Sequence, residues 1–321
     1  MQQFRAPRWL PGGNVQTLWS ALAERRFEGT APRFRRERWT TPDHDFVDVD
    51  WLGENPASPL LVLFHGLEGS SASHYAQSFA HWARGHGWRF AVPHFRGCSG
   101  ELNLAPRAYH SGDFVEAGWM LAQARARHAG PIAAVGVSLG GNVLLRWAEE
   151  AGNTAAQAVR AIAAISTPFD LAAGSRAIGR GFNRQTYTRM FLRTMKPKAF
   201  AKLRQYPGLF DRDKLLAARD LYEFDNIVSG PIHGFRDATD YYTRCSSRLR
   251  LRRICIPALL LNARNDPFVP AASLPQAGDV SAQVTLWQPT HGGHVGFAAG
   301  RWPADVMTLP EQVMGWIAAR I

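Results

Sequence analysis

From residue 59 to about residue 141 the chain alternates short apolar runs with longer amphipathic stretches. This is the rhythm of strands joined by crossover helices in a largely parallel sheet. Pro59-Leu60-Leu61-Val62-Leu63-Phe64 is a continuous apolar run stopped by His65-Gly66, and it reads as a strand covered on both faces. Residues 73–86 read as a helix, 88–93 as the next strand and 109–129 as a second long helix. Residues 131–137 form another buried strand, and Asn142 to Ala148 opens the helix after it. Further strands are expected at 159–165, 256–262 and 282–287.

The interval from about 170 to 250 breaks this rhythm. It is far longer than the dozen or so residues a crossover needs, and its helix-like stretches are rich in Arg and aromatics, among them Phe182, Tyr187, Phe191 and Phe200. It reads as a helical cap or lid inserted over the sheet. The expectation is an α/β fold: a single domain spanning 1–321, with a mostly parallel central sheet, helices on both faces and the cap at about 170–250. No repeat, low-complexity segment or linker divides the chain.

Composition narrows the class. With 46% hydrophobic and 20% charged residues, the chain belongs among globular proteins. No apolar run approaches the roughly 18 residues of a membrane span, and the first residues carry no secretory pattern, so a cytoplasmic location is expected. Cys98, Cys245 and Cys255 are odd in number and lack metal-ligand spacing; free thiols are expected. The net charge of +11 raises nucleic-acid or anionic-membrane binding as an alternative. The charge reads as scattered, its two visible clusters being 33–38 and 248–253, and neither matches a nucleic-acid motif.

Gly136-Val137-Ser138-Leu139-Gly140 is a G-x-S-x-G pattern set between an apolar run and a helical stretch. Small residues on either side allow a sharp strand-to-helix turn that lifts the serine hydroxyl clear of the backbone and aims a helix N-terminus at it. A serine hydroxyl needs a base, and the base needs an orienting group. On a turn of this kind the partners follow in the order Ser, Asp or Glu, His. Asp266 ends the strand before it, in Asn265-Asp266-Pro267, whereas Asp43, Asp45, Asp48 and Asp50 precede the serine. The base is His291 or His294, in His291-Gly292-Gly293-His294. The intervening glycines and the lack of a third ligand disfavour a metal. Leu67 N–H, after His65-Gly66, is expected to join Leu139 N–H in an oxyanion hole, with His65 as a structural histidine anchoring that turn.

Taken with Phe64-His65-Gly66-Leu67-Glu68-Gly69-Ser70-Ser71, His94-Phe95-Arg96-Gly97-Cys98-Ser99-Gly100-Glu101, Tyr109-His110-Ser111-Gly112-Asp113 and His291 to Phe297, the chain closely resembles the YheT-like α/β-hydrolases. That branch includes the eukaryotic ABHD1- and ABHD3-type proteins. In the cap, Phe224-Asp225, His233-Gly234-Phe235 and Tyr241 to Ser247 resemble it too. The resemblance implies the α/β-hydrolase fold, with nucleophile Ser138, acid Asp266 and base His294. Two departures stand out. Asn14-Val15-Gln16-Thr17 replaces the usual His-x-Gln-Thr, and Asn265-Asp266 stands where the family often has two acids.

The resemblance implies a cofactor-independent, metal-free serine hydrolase that cleaves a carboxylic ester through an acyl-enzyme. Its partner is a small-molecule ester or lipid, with no nucleic acid and no obligate protein partner. Acyl transfer by the same triad, a non-catalytic lipid- or anion-binding role and peripheral contact with an anionic membrane stand as alternatives.

Overall fold

In a computed structural model, which describes residues 4–22 and 30–321, eight strands form one sheet: β1 (Arg35–Thr40), β2 (Phe46–Leu52), β3 (Leu60–Phe64), β4 (Arg89–Pro93), β5 (Ile132–Val137), β6 (Ala161–Ile165), β7 (Ala258–Leu261) and β8 (Val284–Trp287). Their order is β1-β2-β4-β3-β5-β6-β7-β8. Pairing is parallel from β4 through β8, and β2 runs antiparallel to both of its neighbours. Every strand expected from the apolar runs is present, each trimmed by up to two residues at an end.

Side chains alternate across a strand, and the runs use both faces. Leu60, Val62 and Phe64 join Ile132, Ala134 and Ile162 in one apolar cluster; Leu61 and Leu63 join Ala133, Val135 and Ile165 in another. Helices α1 (Gly12–Leu22), α2 (His74–Gly85), α3 (Phe114–Ala126) and α4 (Leu139–Ala151) precede β6. Helices α3 and α4 cover the first face, and α2 with the last helix, Thr308–Ala318, covers the second. The second long helix is shorter than expected because residues 109–113 run as a loop, with Asp113 capping α3 at Glu116 N.

Strands β1 and β2 escape the apolar-run reading because their sequences are charged. In register, Arg36 faces Asp50 and Arg38 faces Asp48. Each pair is a two-pronged ion pair at 2.7–2.9 Å, so the carboxylates are buried while the arginines form the sheet's outer edge. Between β6 and β7 the chain builds helices, including Leu171–Ile178, Arg189–Gln205 and Ala238–Cys245. They pack through small apolar clusters of their own. The run 248–253 is a 3₁₀ turn, Arg248–Arg253, pinned by buried Leu251.

Candidate active site

Ser138 sits between β5 and α4 with φ 53° and ψ −118°, a left-handed conformation that a non-glycine residue holds only when its surroundings enforce it. Here they do. A Cβ at Gly140 would lie 2.3 Å from Phe64 O, so only glycine lets α4 approach β3 this closely. Ser138 N–H donates to Ile165 O at 2.8 Å.

His294 Nε2 lies 2.9 Å from Ser138 Oγ, and His294 Nδ1 lies 2.9 Å from Asp266 Oδ2. Asp266 Oδ1 accepts from the backbone N–H groups of Phe268 (2.8 Å) and Val269 (3.2 Å). The Phe268 ring lies over the His294 imidazole, centroids 4.2 Å apart. His291 is exposed and bonds Thr290. The early aspartates serve elsewhere: Asp43 and Asp45 bind buried Arg96, while Asp48 and Asp50 pair across β1.

The backbone of Gly66-Leu67 lies against the serine, since a Cβ on Gly66 would meet Ser138 Cβ at 3.3 Å. Among the described residues, Leu67 N–H and Leu139 N–H have no hydrogen-bond acceptor, and both residues line the cavity with Ser138. Two groups brace this turn. Tyr75 OH accepts from Gly66 N–H at 2.8 Å. His65 Nε2 accepts from Phe95 N–H at 3.1 Å, which leaves the proton on Nδ1, donated to Gly66 O at 2.8 Å. Burial holds His65 down at about 3, so the ring is neutral at physiological pH.

Gln16 and Thr17 belong to none of the motifs that mark the triad in the sequence. Thr17 Oγ1 accepts from His294 N–H at 2.8 Å and donates to Gly13 O at 2.7 Å. Gln16 Oε1 accepts from Gly292 N–H (2.9 Å) and Asn265 Nδ2 (3.0 Å), while Asn265 Oδ1 accepts from Gly293 N–H (3.0 Å). Helix α1 thus ties the acid loop to the histidine loop. It docks so closely that a Cβ on Gly13 would fall 1.8 Å from Asn265 O. Asn14 Oδ1 accepts from Tyr187 OH of the insertion at 3.0 Å. The only signal in the sequence was Gln16-Thr17 itself, which names no partner 250 residues away.

Above Ser138 lies a cavity of about 190 Å³, lined mainly by apolar side chains from the insertion, among them Ile178, Phe191, Met195, Phe224 and Val228. Its polar groups are occupied. Lys198 Nζ pairs with Glu68 at 2.8 Å. Lys202, pushed down to about 8 by burial, donates to Asn103 O and Ala105 O. Burial pushes Asp225 up to about 6 against the hydroxyls of Ser229 and Tyr242 that donate to it. No three His, Cys, Asp or Glu side chains gather as a metal-holding group among the described residues.

Residues 59–300 match the model of the alpha/beta hydrolase fold family. The "Putative esterase YheT" of Escherichia coli (strain K12) is 40% identical over 98% of this chain and 93% of its own. The chain belongs to the YheT-like branch of the α/β-hydrolases. Mouse phospholipase ABHD3 is 28% identical over 90% of this α/β-hydrolase and 72% of its own length. Among solved structures, the Pyrococcus furiosus esterase Pf2001 superposes with a TM-score of 0.56 at 16% identity, over 92% of this chain and 98% of that one. That likeness speaks to the fold alone. No helix among the described residues is long and apolar enough to cross a membrane.

Proposed function

We propose that this YheT-like α/β-hydrolase cleaves carboxylic esters with an apolar acyl group through an acyl-enzyme on Ser138. The observation that carries the reading is the 2.9 Å approach of His294 Nε2 to Ser138 Oγ at the floor of an apolar cavity. His294 takes the hydroxyl proton as Ser138 Oγ attacks the carbonyl carbon, then returns it to the leaving alkoxide. Asp266, fixed by two backbone donors, holds His294 Nδ1–H and stabilises the imidazolium that forms. Leu67 and Leu139 N–H groups receive the oxyanion, each donor being worth about a hundred- to a thousandfold in rate. Water, activated by the same histidine, releases the acid. The esterase and phospholipase names of the relatives agree with an ester of lipid type.

A series of p-nitrophenyl esters of increasing acyl length, with Ser138→Ala as control, tests this. The expected result is turnover favouring chains longer than acetyl, falling by about 10⁴-fold or more in the variant, together with fluorophosphonate labelling of the wild type alone. Equal activity of both proteins, or labelling that survives Ser138→Ala, would overturn it.

A further inference from the structure

The segment 171–210 contains six arginines and three lysines and no aspartate or glutamate, so it carries nine of the chain's eleven net positive charges. The cations stand two to five residues apart with none adjacent, which is why they read as scattered rather than as a run. Folding gathers them on the insertion. Arg180, Arg184, Arg189 and Arg193 are exposed, and among the described residues none has an ion-pair or side-chain hydrogen-bond partner. Phe182 and Met190 emerge between them, each 53% exposed. From the same stretch Tyr187 and Leu192 turn inward, and Phe191 lines the cavity.

We infer that this outer face docks the protein on an anionic lipid bilayer. A helix with cations around protruding apolar side chains suits the boundary between headgroups and acyl chains: the guanidinium groups meet lipid phosphates, and Phe182 and Met190 enter the apolar layer. Nucleic acid would satisfy the charge but would give Met190 nothing to gain. The contrast with Arg36 and Arg38 is direct, since those cations are already neutralised by buried carboxylates. The inference adds to the ester-hydrolase reading and does not depend on it.

Co-sedimentation with vesicles of phosphatidylcholine alone, or mixed equally with phosphatidylglycerol, tests it. Wild type and Ser138→Ala are expected to pellet equally with the anionic vesicles and not with the neutral ones. Release is expected as ionic strength rises from about 0.1 M to about 1 M. The triple variant Arg184→Gln, Arg189→Gln, Arg193→Gln should bind on the order of a hundredfold more weakly, at about 1 kcal/mol per cation near the surface. Phe182→Ser should weaken binding several-fold while keeping the salt dependence. Melting temperature and hydrolysis of a soluble short ester should be unchanged in both. Binding that ignores lipid charge, an undiminished triple variant, or a preference for duplex DNA over anionic vesicles would overturn the inference. Because Ser138→Ala binds without turnover, these outcomes are separate from any failure of the esterase reading.

Discussion

The sheet edge beneath the cavity and the helical insertion above it are held by different forces. At the edge, directional polar contacts dominate: Ser138 is locked in a left-handed conformation, Asp266 by two backbone N–H groups, and the His294 loop by Thr17, Gln16 and Asn265. In the insertion, apolar clusters such as Leu192, Leu215, Phe224 and Val228 pack the helices together, and polar ties at its margins, among them Lys198 to Glu68, Lys202 to Asn103 O, Tyr187 to Asn14 and His233 to Ala108 O, hold it to the rest. Directional contacts fix atoms to the tolerance that chemistry needs. Apolar packing tolerates changes of shape, so under the proposed function the insertion is free to set what fits while the edge sets what reacts.

Charge offers the sharpest way to break this contrast. Arg96 is buried among Asp43, Asp45 and Glu116, and Arg96→Gln is expected to cost about 3–5 kcal/mol, the usual penalty for leaving buried carboxylates without their cation. Arg189→Gln, on the exposed face of the insertion, should stay within about 0.5 kcal/mol. Urea unfolding of the two variants measures both; equal losses would erase the distinction.

Next in size is the loop clamp. Thr17→Val keeps the side chain's shape but removes the acceptor for His294 N–H, and kcat is expected to fall by about ten- to a hundredfold with KM little changed. Thr17→Ser should restore it. A Thr17→Val enzyme with unaltered kcat would show that the histidine loop holds its position without α1.

Inside the insertion, Asp225 makes the test one of pH. Its pKa is raised to about 6 by burial, whereas an unfolded aspartate titrates near 3.9. Between those values the folded state binds the extra proton. Stability from this group is therefore complete below about pH 4, declines as pH rises and is gone above about 6. Relative to Asp225→Asn, the wild type should lose on the order of 1–3 kcal/mol across that window, read from urea midpoints at a series of pH values. A constant difference between the two proteins would remove Asp225 from the account.

The smallest expected effect concerns the roof of the cavity. Met195→Ala should move the preferred ester toward a longer acyl chain, with a gain of about fourfold for each methylene newly accommodated, and should leave kcat for acetyl esters unchanged. Loss of activity at every chain length would mean that this roof position shapes the chemistry as well as the fit.

The central strands were readable because each is an unbroken apolar run, and burial on both faces leaves such a run no other stable place. The charged strands β1 and β2 were not, since their cross-strand arginine–carboxylate pairs look like surface sequence until the register is known. Motif and order alone singled out Ser138 and Asp266, because a strained strand-to-helix turn demands small neighbours wherever it occurs, but left the histidine open between His291 and His294. The choice of His294 over His291 needed the family resemblance.

The sequence by itself determined the repeating strand–helix order, the tight strand-to-helix turn at Ser138 and the size of the cationic excess, all of which are local or additive properties. Only the tertiary structure decided which cations are spent on partners and which stay free, and that Gln16 and Thr17 hold a loop more than 270 residues away. Those are facts of long-range contact. Side chains far apart in the chain acquire a shared role only once the sheet brings their loops to one edge.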